Sequence, residues 1–438
     1  MALGGGTYTS QNKILPGSYI NVISKTQPNA VLGERGVVAL PIALSWGNEG
    51  VITVTAEDFQ KNSLKIFGYA YDAAEMQPFR EVFKHAQKVH VYNTATGGQA
   101  ASCNYATAKK LGAVGNEMSV VIQKNIDDNS KFDVSLVLQR WASDSSGNMK
   151  SVTHTLDEQT VASSVELVDN EYVTWNTAVD LAVTAGTPLT EGANGTADAA
   201  SYQNALNVFE GYSFNVLVSP DTTANDLYVA FTKRLRDKVG AKFQTIVVDT
   251  AADYEGVVNL LKSQKDAIYW AAGALAGCAV NKSCTNMKYD GELTIPCTET
   301  QSELENLIKT GVFAFHKVEG DTNVLIDINS LVTYTDEKGE MFSSNQVIRV
   351  ADQCANDTAK LFNTNFLGKV QNDNAGRISF WNQVLTHRRE LETMRAIDAY
   401  DSSLLTVERG EKRNSVVVSE VITPISAMEK LYMTIVIN

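Results

Sequence analysis

The chain has 438 residues, of which 44% are hydrophobic and 20% charged, a balance typical of globular proteins, and its length predicts two to four domains. Its formal net charge of -13 leaves no basic surface that could displace counterions from phosphates, which argues against a nucleic-acid partner. The longest apolar run, residues 267–280, is shorter than the roughly 20 residues that a membrane span requires, so no membrane insertion is expected.

The first residues and the cysteines indicate a compartment. Met1–Gly6 contains neither a basic region nor an apolar run, so we expect no secretory signal peptide. The five cysteines are an odd number with irregular spacing, which favours free thiols in a reducing compartment over a disulfide framework. We therefore expect a protein that is made in the cytosol and released only by lysis.

The N-terminal third begins as an extended arm and continues as an α/β layer. Residues 1–30 are polar and poorly periodic, which predicts an arm or one short strand. Val37–Leu44 reads as a buried strand, although Pro41 favours an edge or bulged position for it. Helical spacing over residues 78–88 and a strand at Val89–Tyr92 complete a strand–helix–strand unit.

The next segment has the periodicity of an antiparallel sheet. Apolar and polar residues alternate from Phe132 to Gln139 and again from Val152 to Leu156, with turn residues at 144–148 between them. This pattern predicts a small β-sandwich inserted into the α/β layer.

The α/β pattern then returns. A helix around Tyr202–Phe209 precedes a strand at Phe214–Val218, a helix capped by Asp221 or Thr222, and a strand at Phe243–Val248. A β-α-β unit of this kind implies a parallel pair with a right-handed crossover. Further along, Val312–Val318 and Asn323–Ile328 read as a hairpin.

The C-terminal residues predict two helices and three strands. An apolar stripe marks a helix over residues 347–362, Asn374–Gly376 is expected to break the chain, and a second helix carries Trp381 to Met394. The predicted strands are residues 404–407, 415–421 and 432–437. Because the last of these is followed only by Asn438, we expect an open edge that could be donated to the sheet of another subunit.

The sequence offers no catalytic, cofactor-binding or metal site. Gly192–Thr196 lacks the Gly-Lys-Ser/Thr core of a phosphate loop, and no Gly-x-Ser-x-Gly elbow is present. The five histidines are scattered, and Cys278, Cys284 and Cys297 have no ligand spacing, so buried structural thiols are the simpler interpretation.

Several blocks of the C-terminal fifth resemble the contractile phage tail sheath proteins, in particular the short sheaths of phages, defective prophages and phage-tail-like bacteriocins. The most specific block is the Pro-x-x-Ala-Met-Glu-Lys-x-Tyr run of Pro424–Tyr432, after the helix that contains Gln346–Arg349 and the turn Leu367–Asn372. Two weaker blocks, Gly33–Val37 and Gly311-Val312, agree.

The resemblance implies a mixed α+β and α/β multidomain chain. Its expected parts are a split α/β domain with an inserted antiparallel β-sandwich, and a C-terminal α+β sheath domain with exchanged terminal strands. The expected boundaries are an arm at 1–30, the α/β domain at 31–100 and 190–340, the insertion at 101–189 and the C-terminal domain at 341–438.

The resemblance also implies partners. The subunit is expected to polymerise with itself as stacked hexameric rings around a tail tube protein, and to meet baseplate and tail terminator proteins. The expected subunit-linking residues are Tyr8, Thr9, Leu431, Tyr432, Met433, Ile435 and Ile437. Lys369 and Arg377, on the turn that resembles the tube-facing loop, are the expected tube contacts.

Two other functions stay open at this level. One is a secreted or displayed adhesive or carbohydrate-binding surface protein that uses the β insertion, although the N-terminus offers no signal for export. The other is an α/β hydrolase, which the missing nucleophile elbow opposes.

Overall fold

The computed structural model describes residues 32–48, 50–143 and 149–437. The predicted N-terminal arm, including Tyr8 and Thr9, and the predicted turn at 144–148 lie outside the described residues. The chain divides into two compact units, and each is described by itself. The larger unit contains Gly33–Asn356, Met394–Asp398 and residues 423–437, and the smaller unit contains Asp357–Thr393 and Ala399–Ile422.

The larger unit starts with three strands and two helices. These are β1 (Val37–Ile42), β2 (Gly50–Thr55), α1 (Ala56–Phe67), α2 (Gln77–Val82) and β3 (Lys88–Asn93). A capping box starts α1, because the Thr55 hydroxyl accepts from the Asp58 amide while the Asp58 carboxylate accepts from the Thr55 amide. The strands at β1 and β3 were predicted, β2 and α1 were not, and α2 is shorter than the predicted helix over 78–88.

The inserted region is antiparallel, as the alternation predicts. Its strands are β4 (Ala106–Ala108), β5 (Met118–Lys124), β6 (Phe132–Ser143), β7 (Met149–Val161), β8 (Val173–Trp175) and β9 (Thr184–Pro188). Four of them form a sheet in the order β7-β6-β5-β9, and β4 pairs with β8. Val134, Leu136 and Leu138 of β6 are buried in one apolar cluster, which confirms their predicted inward positions.

The second half of the larger unit returns to alternating strands and helices. Its elements are α3 (Ala199–Phe209), β10 (Val216–Val218), α4 (Asn225–Arg234), β11 (Gln244–Val248), β12 (Val257–Leu260), α5 (Ile268–Gly277), α6 (Gln301–Lys309), β13 (Val312–Phe313), β14 (Phe315–Val318) and β15 (Asp321–Val324). The β10-α4-β11 unit is parallel, as predicted. The predicted first hairpin strand is in fact two strands, since β13 joins β12 and only β14 pairs with β15.

The two α/β stretches share one sheet of seven strands in the order β13-β12-β11-β10-β1-β3-β2. All neighbours are parallel except β2 and β3. The edge position predicted for Pro41 is wrong, because β1 lies between β10 and β3. Pro41 is tolerated there because pairing with β10 covers only Val38 and Ala39, so that Pro41 lies beyond it.

Apolar cores cover both faces of this sheet. Val38 and Leu40 pack in the cluster that includes residues of α1, α2 and α5, whereas Ala39 between them packs in the cluster that includes residues of α3 and α4. This alternation follows from the two-residue period of a strand, and burial on both faces is typical of parallel sheets.

The C-terminal part contains α7 (Asn345–Asn365), α8 (Asn374–Thr393), β16 (Thr406–Arg409) and β17 (Val416–Ser419). Both predicted helices are confirmed, but Asn374–Gly376 forms the first turn of α8 and is not a break. The reason is local, since the Asp373 carboxylate accepts from the Gly376 amide at 2.8 Å and caps the helix. The strand predicted at residues 432–437 is not formed within the single chain.

Candidate functional site

One face of α7 holds three long polar side chains in buried positions. Gln346, Arg349 and Gln353 are spaced by three and then four residues, which places them one above the other along the helix. Because buried polar groups must find partners, the neighbours of these three residues identify what the helix fixes.

Gln346 fixes the C-terminal block that carries the sequence resemblance. Its Nε2 donates to the Ile425 carbonyl and its Oε1 accepts from the Ala427 amide, each at 3.0 Å. A second attachment precedes it, where the Asp398 amide donates to the Thr423 carbonyl at 2.9 Å. Further along, the Thr285 hydroxyl donates to the Glu429 carboxylate at 2.7 Å, so the chain is held as far as residue 429.

The N-terminal end of the described chain, at Gly33 and Arg35, is also held by hydrogen bonds. The Gln353 Nε2 donates to the Gly33 carbonyl at 3.2 Å. The Arg35 guanidinium donates to the carbonyls of Cys278 at 2.9 Å and Leu275 at 3.2 Å. Burial lowers the pKa of Arg35 to about 10, and the nearby charge of Arg349 acts in the same direction.

The buried carboxylate of Asp327 compensates the charge of Arg349. Asp327 accepts from Arg349 Nη2 at 3.1 Å, from the Asn345 amide side chain at 3.0 Å and from the Cys284 backbone amide at 2.9 Å. Burial lowers the pKa of Arg349, but the charge and hydrogen bond of Asp327, together with the nearby cysteines, outweigh it and the pKa is raised. The blocks at Gly33–Val37, Gln346–Arg349 and Pro424–Tyr432 thus meet at the first turns of α7.

The residues beyond this attachment point are exposed. The five predicted linking residues of the C-terminal segment have exposed fractions of 86% for Leu431, 89% for Tyr432, 70% for Met433, 72% for Ile435 and 91% for Ile437. Within the described chain, residues 430–437 take part in no strand pairing. Contiguous exposed apolar residues of this kind mark an interaction site. The predicted linking residues Tyr8 and Thr9 lie outside the described residues.

The smaller unit carries a sheet of only two strands. β16 and β17 are antiparallel, from the Thr406–Ser419 pair to the Arg409–Val416 pair. No third described strand joins either of them. A two-stranded sheet is marginal in water, and both outer edges present unpaired backbone groups.

The turn between α7 and α8 positions the two predicted tube contacts differently. Gly368 has a φ of +69°, which a glycine adopts without strain, and it lies in the turn three residues after the last residue of α7, Asn365. Lys369, next to it, is exposed and its Nζ donates to the Thr364 carbonyl at 2.6 Å. Arg377 is not on the turn but in the first turn of α8, where it is half-buried and donates to the Asn372 carbonyl at 3.2 Å.

A pocket of about 410 Å³ opens beside this turn. Its apolar wall includes Phe362, Phe366 and Phe380, whose rings are 4.9 to 6.5 Å apart, and its lining includes Arg377 and Arg413. Sequence reasoning identified the turn but not the pocket, because the phenylalanines lie on two different helices.

The described residues contain no group of three or more His, Cys, Asp or Glu side chains that could hold a metal ion. None of the described helices combines the length and apolar character that crossing a membrane requires. The chemical features that stand out are therefore the anchored chain ends, the two-stranded sheet and the pocket beside the turn.

Four family models match the chain in succession. They are the tail sheath protein Gp18 domain III N-terminal region at residues 35–93, the phage tail sheath protein beta-sandwich domain at 96–194, the phage tail sheath protein central domain at 195–330, and the phage tail sheath C-terminal domain at 337–438. The chain belongs to the phage tail sheath family.

Full-length relatives agree with this assignment. The phage-like element PBSX protein XkdK of Bacillus subtilis is 29% identical over all of both chains. The uncharacterized protein YqbK of the same organism is 30% identical over 99% of each chain. The crystal structure of a sheath tail protein from Desulfitobacterium hafniense is 32% identical, with a TM-score of 0.79, and covers 95% of this chain and 99% of that one. The inserted β-sandwich is thus a feature of the family.

Proposed function

We propose that the protein is the structural subunit of a contractile tail sheath, polymerised as stacked hexameric rings around an inner tube. Membership of the phage tail sheath family supports the sheath role. In this proposal residues 341–438 form the tube-facing domain. Residues 31–100 and 190–340, with the insertion at 101–189, face outward.

The observation that carries the proposal is the exposed apolar segment at Leu431–Ile437, which follows a firm attachment at Gln346. Burying a side chain such as Leu, Ile or Met contributes about 1.5–3 kcal/mol. A segment that exposes several of them is costly in water, and a neighbouring copy could bury them. Its residues favour a strand and pair with no strand of the described residues, so donation to a sheet of another subunit fits both observations.

The two-stranded sheet of β16 and β17 in a neighbouring copy is the acceptor that we propose. Its open edges offer the backbone groups that an added strand requires, and Val417 there is exposed at 52%. The N-terminal arm, with Tyr8 and Thr9, is proposed to add to the same shared sheet. Because Gly33 and residues 425–427 are hydrogen-bonded to α7 of the same subunit, we propose that domains rotate while the exchanged strands stay paired.

Lys369 and Arg377 are proposed to face the tail tube protein. The exposed side chains of Leu367 and Val370 next to Lys369, together with the pocket that Arg377 lines, suit a contact that combines apolar burial with positive charge. Baseplate and tail terminator proteins are the proposed partners at the two ends of the sheath.

Contraction is proposed to release free energy stored at assembly and to drive the tube through a bacterial envelope. In this mechanism the subunit works by burying additional intersubunit surface and not by catalysis, so it needs no cofactor. Standard interfaces of about 1,600 Å² vary widely in net energy, and a modest gain per subunit would add up along the sheath. Assembly in the host cytoplasm and release by lysis complete the proposal.

Deletion of residues 431–438 tests the proposal. The truncated chain should fold, with an unchanged circular dichroism spectrum and melting temperature, because residues 431–437 make no strand pairs with the other described residues. It should not form the tubes or stacked rings that we expect from the full chain, together with its tube protein, in negative-stain micrographs. Replacing the same residues by a polar Gly/Ser segment of equal length controls for length. Normal sheaths from either variant would remove strand donation from the proposal.

A further inference from the structure

The C-terminal block of the chain carries two methionines with exposed side chains. Among the methionine side chains that the structure describes, that of Met428 is the most exposed, being entirely in solvent, and Met433 follows at 70%. Met341 is 55% exposed, whereas Met76 and Met118 are buried, at 2% and 1%. Methionine is normally among the more buried residue types, so the exposure of both positions in one block calls for an explanation.

The exposure of Met428 is not caused by a loose chain. The preceding residue, Ala427, donates its amide to Gln346 Oε1 at 3.0 Å, and the carboxylate of the following residue, Glu429, accepts from the Thr285 hydroxyl at 2.7 Å. The chain is therefore held on both sides of Met428, while the thioether itself lies in solvent. A dissolved oxidant reaches this sulfur without any unfolding of the protein.

Met433 lies within the exposed apolar segment that follows. Its neighbours Tyr432 and Ile435 are exposed as well, and residues 431–437 pair with no strand of the described residues. The aliphatic side chains of this segment stay apolar under mild oxidation, whereas a methionine thioether gains one oxygen and becomes a polar sulfoxide. Met433 is thus a position at which the apolar character of the segment can be changed after synthesis.

We propose that Met428 and Met433 are sites of reversible oxidation by hydroperoxides, and that their sulfoxides oppose burial of the C-terminal segment in a neighbouring subunit. The thioether sulfur attacks one oxygen of hydrogen peroxide, so that an S–O bond forms and the O–O bond breaks. The departing hydroxide takes the proton of the hydroxyl left on sulfur and leaves as water. One thioether and one peroxide give one sulfoxide and one water, the sulfur being oxidised and the peroxide reduced. The oxidation is independent of the proposed sheath, whereas its effect on assembly rests on that function.

The effect on assembly follows from the polarity of the sulfoxide. Its oxygen is a hydrogen-bond acceptor, and burial of a polar group without a partner is unfavourable, whereas burial of the thioether is favourable. We therefore expect each sulfoxide that an interface buries to weaken assembly by about tenfold. Methionine sulfoxide reductases act on one epimer each and together regenerate the thioether, so the loss should be reversible.

Tryptic peptide mass spectrometry of the purified full chain, before and after dilute hydrogen peroxide, tests the two oxidation sites. Cleavage after Lys430 places Met428 and Met433 in separate peptides. We expect each of these peptides to gain about 16 Da, the mass of one oxygen, while the peptides that contain the buried Met76 and Met118 stay unmodified. Equal oxidation rates at the exposed and the buried methionines would overturn the assignment, and this result needs no variant to fold.

Sheath formation with the tube protein, added after the peroxide has been removed, tests the effect on assembly. Oxidation should reduce the pelleted fraction of the wild-type chain, and the two sulfoxide reductases should restore it. The double variant Met428→Leu with Met433→Leu nearly conserves volume and should assemble before and after peroxide. Met341→Leu, which removes an exposed methionine outside the C-terminal block, is the matched control and should lose assembly on oxidation like the wild type.

The outcomes separate this inference from the proposed function. Oxidised wild-type chain that assembles as well as the reduced chain overturns the effect on assembly and leaves the sheath role intact. Loss of assembly in the oxidised double variant shows that other residues are responsible, and it overturns the role of Met428 and Met433. A reduced chain that forms no sheath contradicts the proposed function, while the peptide masses still decide the oxidation sites.

Discussion

Arg388 and Glu420 form a two-pronged ion pair inside the smaller unit. Arg388 Nε and Nη2 donate to the two carboxylate oxygens at 2.9 and 2.7 Å, and the Tyr400 hydroxyl adds a third bond at 2.8 Å. The Arg388 side chain is 1% exposed and that of Glu420 is 19% exposed. The pair ties α8 to the residue that follows β17, and so positions the two-stranded sheet proposed as the strand acceptor.

Glu420→Gln should destabilise the protein by about 3 kcal/mol at pH 7, because it leaves the buried Arg388 charge without its carboxylate. Chemical denaturation followed by fluorescence measures the loss. Glu392→Gln is the matched control, since its partner Arg389 is far more exposed and such pairs are worth less than about 1 kcal/mol. Equal effects of the two substitutions would contradict the importance of burial.

Acid should remove the same stabilisation. Burial alone would raise the pKa of Glu420, but the hydrogen bonds and charge of Arg388 and the Tyr400 bond lower it below its ordinary value of 4.5. A carboxyl group with a lowered folded-state pKa stabilises fully above its unfolded-state pKa and loses that contribution as the pH falls below it. The stability difference between wild type and Glu420→Gln should therefore be constant from pH 7 to about 5.5 and shrink below pH 4.5. A difference that stays constant down to pH 3 would contradict this linkage.

Asp327→Asn should be among the most damaging single changes in the larger unit. It leaves the buried Arg349 without its carboxylate, for which about 3–5 kcal/mol is the usual cost. In the double variant Asp327→Asn with Arg349→Met, one uncompensated charge is also removed. We expect the double variant to be less destabilised than the sum of the two single variants, as measured by a double-mutant cycle. Additive losses would show that the two side chains do not interact.

Gln346→Ala tests the attachment of the C-terminal segment. The substitution removes the hydrogen bonds to Ile425 and Ala427, each worth about 1 kcal/mol. Hydrogen exchange at the Ala427 amide should become faster and sheath formation weaker, while the rest of the chain keeps its protection. Gln301→Ala on the exposed face of α6 is the control and should change neither. Unchanged exchange at Ala427 would mean that other contacts hold the segment.

The local sequence pattern predicted those helices and strands in which apolar and polar residues recur at regular spacing. The β6 strand and the β10-α4-β11 unit follow from apolar spacing, because each has one consistent buried face. The sequence did not predict α5, because nearly all of its residues are apolar and buried and no amphipathic spacing is present. Pro41 predicted an edge strand, although β1 lies in the middle of the sheet. In these elements, tertiary packing outweighs the local signal.

The candidate site was predictable only in part. The blocks at Gly33–Val37, Gln346–Arg349 and Pro424–Tyr432 stood out as sequence motifs, but their meeting point could not be read from the sequence. The Gln353–Gly33 hydrogen bond, for example, joins residues 320 positions apart. Burial of the Arg349–Asp327 ion pair was equally hidden, since charged residues are normally exposed.

Charge reversal at the turn beside α7 tests the proposed contact with the tube. Lys369→Glu removes an exposed positive charge, and the main-chain bond to Thr364 is the one contact that the structure shows for its Nζ. Arg377 also donates to the Asn372 carbonyl, so Arg377→Glu changes the turn as well as its charge. We therefore expect Lys369→Glu to reduce co-sedimentation with the tube protein without lowering the melting temperature. The double variant with Arg377→Glu should bind still less and melt earlier.

Added salt and a second lysine variant, in the larger unit, distinguish the effect of the Lys369 charge from that of net charge. Attraction between exposed charges is screened over about 8–10 Å at 0.1–0.15 M salt, so binding of the wild-type chain to the tube should weaken as salt is added. Lys238→Glu, which makes the same charge change at an exposed position of the α/β region, should pellet like wild type. If Lys238→Glu and Lys369→Glu lose binding equally, net charge alone explains the effect. If neither loses binding, Lys369 does not face the tube.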